Sequence, residues 1–165
     1  MSRLVTFLAS TNEVNPIAII GIVVFFGGII ALSLWQTKSA AKKGAKKIRN
    51  KYGDRIMEEG TFSKSVHWFI TKDELLAQKY NEVFAVYRLS DIRFIGIRWD
   101  AVLSKNVLFM TDAEGKRVKP SEVIGGTKAA RKLYGNSAIS LDKDSIQKVC
   151  DAIFKYAPNA QYESN

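Results

Sequence analysis

The chain has 165 residues, which allows one domain, or one domain with a membrane anchor, and its hydrophobic fraction of 47% is ordinary for a globular protein. Its formal charge of +9 is strongly localised: residues 38–51 supply +7, and the chain from Tyr52 onward only +2. The folded part is therefore not a basic domain, which argues against nucleic acid as a partner.

Residues 16–35 are predicted to form one transmembrane helix, preceded by a short extracytoplasmic N-terminus at residues 1–15. The segment contains no charged residue. Its 20 residues make about 30 Å of helix, which matches the hydrocarbon core of a bilayer. Pro16 stands where a first helical turn accepts proline, and Trp35 is predicted to anchor the other end at the membrane interface.

A cleaved signal peptide is the main alternative for this segment, because Ala31 to Ser33 resembles a cleavage site. Two features of the charges favour a retained helix. The region before the apolar run is neutral and contains Glu13, whereas a signal peptide is positive there. The cations follow the run, so the positive-inside rule places the C-terminal side in the cytoplasm, or in the interior of an organelle, and the N-terminus outside.

Two small residues of the predicted span, Gly27 and Ala31, are four positions apart. This spacing lets two membrane helices approach closely. It predicts a helix-packing site, although glycine is common in membrane helices in general.

Residues 36–60 are predicted to be a basic juxtamembrane segment, helical from Lys38 to Glu59. An apolar stripe at helical spacing comprises Ala41, Ala45, Ile48, Tyr52 and Ile56. The cations occupy the other faces, and they are predicted to contact anionic lipid head groups: Lys38, Lys42, Lys43, Lys46, Lys47, Arg49 and Lys51. The same residues also serve as a topology signal in a solvated linker, and the two roles are compatible.

Residues 61–165 are predicted to form a small soluble α+β domain. Runs rich in β-branched and aromatic residues predict strands at 65–71, 74–79, 83–89, 92–99 and 107–111, with a short return strand through Val118. The predicted turns include one at 80–82.

Two helices are predicted after the strands. A short one runs from Thr127 to Tyr134, and Gly135-Asn136 closes it. An amphipathic one follows Ser140 or Asp142 as its cap and ends before Pro158. Five to seven antiparallel strands closed by this last helix make an α+β or small-barrel fold.

Three fragments carry a resemblance to a known family: HWFITKDELLAQ, VFAVYRLSDIRFIGIR and VLFMTDAEGKR. Over residues 62–157 the succession of strands and a closing helix resembles the pleckstrin-homology-like (PH-like) domains of small bacterial membrane proteins, in which a membrane helix often precedes the domain. The resemblance implies a scaffold or interaction module and no catalysis. It does not imply inositol-phosphate binding, because the first hairpin carries Asp73 and Glu74 beside a single cation, Lys72.

The sequence contains no recognisable catalytic, cofactor or metal set. His67, the single histidine, lies in an aromatic strand, and Cys150, the single cysteine, lies on the apolar face of the last helix. Asp142 and Asp144 are predicted to serve the N-terminus of that helix. The run Gly125 to Thr127 lacks the spacing and the lysine of a P-loop and is predicted to be a loop turn.

Two functions from different classes fit these patterns. The first is a non-enzymatic, membrane-anchored interaction or scaffold protein that recruits a protein partner through its PH-like domain. The alternative is an accessory structural subunit of a larger membrane complex, with the glycine-containing helix packed between other helices. Neither function requires a cofactor.

Overall fold

The structure is a computed structural model, and it describes residues 16–64, 66–79, 83–135 and 138–163. The predicted N-terminal segment 1–15, the predicted turn at 80–82 and Asn136 lie outside the described residues. The chain divides into two compact units, one ending at Gln36 and the other running from Thr37 to Asn165. The second unit therefore includes the stretch predicted as a juxtamembrane segment.

The first element is helix α1, Pro16–Tyr52, of 37 residues. Its first part is apolar and its second part is rich in alanine and lysine, both of which favour helix. The helix ends at Tyr52, and a 3-10 turn follows at Gly53–Arg55, where Gly53 has a φ of +45° that is favourable for glycine. The prediction of helix as far as Glu59 was wrong, because Met57 N–H already bonds to the carbonyl of Ile70 and brings the chain into a sheet.

Five strands form an antiparallel sheet, here the first sheet. They are β1 (Glu58–Ser63), β2 (Val66–Ile70), β3 (Glu74–Lys79), β4 (Val83–Arg88) and β7 (Glu122–Ile124). Their spatial order is β1-β2-β3-β4-β7, so the first four strands make a simple meander. The register pairs Trp68 with Ala77 between β2 and β3, and Glu74 with Arg88 between β3 and β4.

Four strands form the second sheet. They are β5 (Phe94–Asp100), β6 (Lys105–Thr111), β8 (Ile139–Leu141) and β9 (Gln161–Tyr162), in the order β8-β6-β5-β9. The pairs β5–β6 and β6–β8 are antiparallel, whereas β9 pairs with β5 in parallel. The predicted return strand after β6 is a single bridge between Thr111 and Arg117.

Two further helices complete the domain: α2 (Lys128–Gly135) and α3 (Lys143–Tyr156). Helix α3 packs against β1 and β2 and closes the main core. That core lies between the sheets and includes Leu75, Ile95, Val149 and Ile153, all fully buried. The predicted α+β class, with an antiparallel sheet domain and a C-terminal helix, is confirmed, although nine strands are present among the described residues.

The first sheet is also covered on its other face. There the C-terminal part of α1 contributes Ala45, Ile48 and Tyr52 to a second apolar cluster. The sheet supplies four buried side chains to it: Phe69, Leu76, Phe84 and Val86. The predicted stripe of α1 is thus the surface by which this part of the helix packs on the domain.

Candidate membrane-anchoring site

The apolar part of α1 is the one helix among the described residues that is long and apolar enough to cross a membrane. An 18-residue window in it has a mean hydropathy of 2.2, and none of this window is buried. Large apolar side chains such as Val23, Val24 and Phe25 lie mostly exposed along it. A helix with apolar side chains on all its faces needs an apolar environment around it.

The predicted packing residues and the predicted interface residue lie on this helix. Gly27 faces open space, since a Cβ built there meets no atom within 4 Å. Trp35 is 67% exposed. Ser33, the polar residue near Trp35, donates its Oγ–H to the carbonyl of Ile29 at 2.8 Å, so its hydroxyl is satisfied within the helix. The packing role of Gly27 and Ala31 stays a prediction.

The cations of α1 lie on the face that does not pack against the sheet. Ala41, Ala45 and Ile48 are buried, whereas the lysines between and around them are exposed: Lys38, Lys42, Lys43, Lys46, Lys47 and Lys51. Packing the stripe thus fixes which way the cations project from the domain. We call this set of six lysines the lysine face.

Arg49 differs from the lysine face because it is paired with Glu59 of β1. Its Nη2 donates to Oε1 at 2.8 Å and its Nε to Oε2 at 3.0 Å, a bidentate arrangement. This pairing raises the pKa of Arg49. The guanidinium also lies 5.7 Å from the ring centroid of Phe69. Arg49 thus ties the helix to the edge of the first sheet, and its predicted contact with lipid stays a prediction.

A buried hydrogen bond fixes the direction of the packed segment. Gln78, which is fully buried in β3, donates its Nε2–H to the carbonyl of Ala41 at 2.8 Å. At the other end, Tyr52 lies near Glu74, whose charge contributes to raising the tyrosine pKa after the larger effect of burial. The segment therefore starts beside the end of β3 and finishes beside its beginning.

A cleft of about 330 Å³ opens near the beginning of β3, at the end of the domain away from Ala41. Its charged lining combines both signs: Lys72, Asp73, Glu74, Arg88 and Arg93. The turn beneath it is well ordered by hydrogen bonds, since Glu74 N–H bonds to Thr71 Oγ1 at 3.1 Å and Leu89 N–H bonds to the carbonyl of Asp73 at 2.9 Å. We call it the charged cleft.

The single histidine and the single cysteine are both in structural environments. His67 is half-buried on the face of the first sheet that carries Phe69, and the two ring centroids are 6.4 Å apart. Burial, and secondarily the charge of Arg49, lowers the pKa of His67. Cys150 is buried in the main core, where burial raises the pKa of its thiol to about 11.

The loop and carboxylate candidates also have structural roles. Gly125 and Gly126 have positive φ values of 85° and 62°, and Thr127 Oγ1 accepts the N–H of Ala130 at the start of α2. Asp142 is the N-cap residue of α3, yet its carboxylate accepts the N–H of Lys64 at 3.2 Å instead of a helix amide. Within the described ranges, no three His, Cys, Asp or Glu side chains are grouped to hold a metal.

Comparisons with known proteins return no match: no protein-family model, no curated protein and no solved structure is similar enough to this chain. Charge, exposure and packing are therefore the grounds on which a function can be assigned.

Proposed function

We propose that this chain is a non-enzymatic, single-pass membrane protein that presents a small PH-like domain at the cytoplasmic face of its membrane, or at the interior face in an organelle. The proposal rests on the order of two stretches within α1. An unburied apolar stretch leads directly into a cation-bearing stretch whose apolar side packs on the domain. The lysines are thus part of the folded domain and not of a free tether.

The orientation follows from the lysine face. Cations next to a membrane span resist translocation, and they also bind anionic lipid at about 1 kcal/mol each near the surface. The lysine face lies within 16 residues of Trp35 in the sequence, and the packed stripe keeps it in solvent. This supports a domain on the cytoplasmic side in contact with anionic head groups.

The PH-like assignment is supported by the order of the elements. A four-stranded antiparallel meander precedes a second, mainly antiparallel sheet, and a C-terminal helix closes the core between them. Four strands are additional to the pattern read from the sequence: β1, β7, β8 and β9.

A protein partner is proposed to bind at the charged cleft. Arg88 and Arg93 supply two cations there, and Asp73 and Glu74 supply two anions, so the cleft suits a peptide that carries both signs of charge. Mixed charge makes it unsuitable for a polyanion such as nucleic acid. This is the recruitment role expected of an interaction module.

Protease protection in sealed cells tests the anchor and its orientation. We expect protease added outside to leave residues beyond Lys51 intact, and to digest them once the membrane is permeabilised. The mass of the purified natural protein is expected to include residues 16–35. A mature chain that begins after Ser33, or a domain digested from outside, would overturn the proposal.

An accessory subunit of a membrane complex remains the second candidate, because Gly27 faces open space on α1. Extraction in a mild detergent distinguishes the two candidate functions. If Gly27→Leu abolishes co-migration with a large stoichiometric complex, the subunit role holds. If the double variant Arg88→Glu, Arg93→Glu abolishes capture of a soluble partner and Gly27→Leu does not, the interaction module holds.

A further inference from the structure

The hairpin of β5 and β6 exposes a group of apolar side chains in and beside its turn. Trp99 is 64% exposed, Val102 94% and Leu103 45%. The turn is ordered, since Leu103 N–H bonds to Asp100 Oδ1 at 2.9 Å and Ser104 adopts a positive φ of 48°. Three large apolar residues at the tip of a defined hairpin are unusual on a surface that faces only water. We call Trp99, Val102 and Leu103 the apolar tip.

The register of the first sheet locates one end of the domain. The chain enters the domain at Thr37, and Ala41 is bonded to Gln78 near the end of β3. Since Trp68 pairs with Ala77 and the strands are antiparallel, β2 begins beside the end of β3. Lys64, just before β2, therefore lies at the end of the domain at which the chain enters.

The second sheet places the apolar tip at the same end. Lys64 N–H bonds to the carboxylate of Asp142, directly after β8. Leu141 of β8 pairs with Asn106 at the start of β6, and Lys105 before it belongs to the hairpin that carries the tip. Lys64 and Lys105 line one surface depression, together with Ser63, Asp142 and Asp144. The tip and the chain entry thus share one end of the domain.

We propose that the apolar tip inserts into the same bilayer that holds α1. This inference rests on the proposed membrane anchor. Because Thr37 directly follows the apolar unit, the end of the domain at which it enters is held within reach of the membrane surface. A tryptophan with two aliphatic residues suits the interface between head groups and acyl chains.

Insertion of the tip gives the domain a second point of attachment and so a fixed orientation. The charged cleft lies at the beginning of β3, at the opposite end from Lys64 and the tip. It then faces away from the membrane, where a soluble partner has access to it. A domain attached by α1 alone would not have this constraint.

Spin-label depth measurements on the full chain test the insertion. Val102→Cys, Met57→Cys and Val24→Cys are labelled singly with a nitroxide at pH 7 and reconstituted in phosphatidylcholine–phosphatidylglycerol vesicles. Native Cys150 is buried and stays unlabelled under brief treatment. Met57, just before β1 and at the opposite end of the domain beside Thr71 to Glu74, is the matched control, being 57% exposed. Val24 reports the anchor itself.

Compared with the label at 57, we expect the label at 102 to show a ratio of oxygen collisions to collisions with a water-soluble nickel complex that is at least several times higher. Adding Trp99→Ser and Leu103→Ser to the labelled protein is expected to return the label at 102 to water. If the label at 24 lies inside the bilayer and the label at 102 is fully accessible to nickel, the tip does not insert and the proposal is overturned. The same result is expected if the tip binds a protein instead of the bilayer. A label at 24 in water overturns the anchor, and the insertion falls with it.

Discussion

Lys79 Nζ lies 3.1 Å from the carbonyl oxygen of Tyr134, and it donates a hydrogen bond from inside the domain to the last turn of α2. The lysine is only 3% exposed. A cation at the C-terminus of a helix interacts favourably with the helix dipole. Burial nevertheless disfavours its charge, and the nearby Arg117 adds repulsion, so the pKa of Lys79 falls from 10.5 to about 8.

This depressed pKa predicts a rise of stability with pH. Between pH 8 and 10.5 the unfolded chain retains a proton on Lys79 that the folded chain has released. The free energy of unfolding therefore grows with pH in that window and is lower below pH 8, with a slope for this group of at most about 1.4 kcal/mol per pH unit. Urea unfolding of the full chain in mild detergent at pH 7 to 10 measures it.

Lys79→Met is the variant that isolates this contribution. It should lack the rise, so the difference between the two proteins should grow in favour of the wild type from pH 8 upward. Tyr87 and Cys150, whose pKa values are raised to about 12 and about 11, act in the opposite direction, but both proteins retain them. Parallel pH curves for the two proteins would show that Lys79 titrates normally.

Ile48→Ala tests whether the basic segment is part of the folded domain. Ile48 is fully buried between α1 and the first sheet. Its truncation leaves a cavity and is expected to lower the free energy of unfolding by about 2–5 kcal/mol. The measurement is urea unfolding of the full chain in mild detergent.

Lys46→Ala is the matched control in the same helix, since Lys46 is exposed. It should change stability by no more than about 0.5 kcal/mol. If the two variants unfold alike, residues 38–52 are a free linker and the packed arrangement is wrong.

Much of the fold was predictable because five strands carry their signal locally. Strands β2 to β6 are apolar runs bounded by turn residues, and each was predicted to within two residues at either end. Strand β1 was missed, since its sequence EEGTFS has one large apolar residue, Phe62, which is fully buried. Its place depends on pairing with β2 and packing under α3, and neither is visible in six residues. Strands β7, β8 and β9 have two or three residues each and carry no period.

The stripe of α1 was predicted from the sequence, but the surface against which it packs was not. The stripe follows from spacing alone, whereas the surface it covers belongs to strands with apolar residues on both faces. The runs LLA at residues 75–77 and VFAV at 83–86 contain this signal, because continuous apolar strands are buried on both sides. A second covering layer was therefore implied by the sequence.

For the candidate site, the sequence predicted where the charged side chains lie but not which residues they contact. The six lysines are exposed as predicted, but Arg49 pairs with Glu59, which was predicted to lie in the same helix and instead lies in β1. Asp142 is the N-cap residue of α3, as predicted, but its carboxylate bonds to the N–H of Lys64, 78 positions away, and not to a helix amide. The apolar tip was missed, although apolar residues in a turn between two strands are a signal in themselves.

Replacing Lys42, Lys43, Lys46 and Lys47 together by glutamine tests the lysine face. We expect a measurable fraction of chains to insert with the domain outside, because the positive charge that resists translocation is reduced. Contact with anionic vesicles should weaken by about 1 kcal/mol per lysine removed. External protease digestion of sealed cells measures the inverted fraction.

A charge-matched control removes four exposed cations that are far from the span in the sequence: Lys128, Arg131, Lys132 and Lys148. These positions lie beyond the range in which charges determine orientation. The control should keep the wild-type orientation. If the two quadruple variants give the same inverted fraction above that of the wild type, total charge, and not the lysine face, sets the topology.

Cys150 provides a test of the main core by its reactivity. Its side chain lies on the buried face of α3, and burial raises the pKa of its thiol from 9.0 to about 11. This reduces the thiolate at neutral pH about a hundredfold before access is considered. We expect a charged thiol reagent at pH 7.5 to modify native Cys150 at least a hundredfold more slowly than the same thiol in urea. Ala113→Cys, at an exposed position in the turn after β6, provides the fast reference in the folded protein. Equal rates at the two cysteines would mean that α3 does not close the core as described.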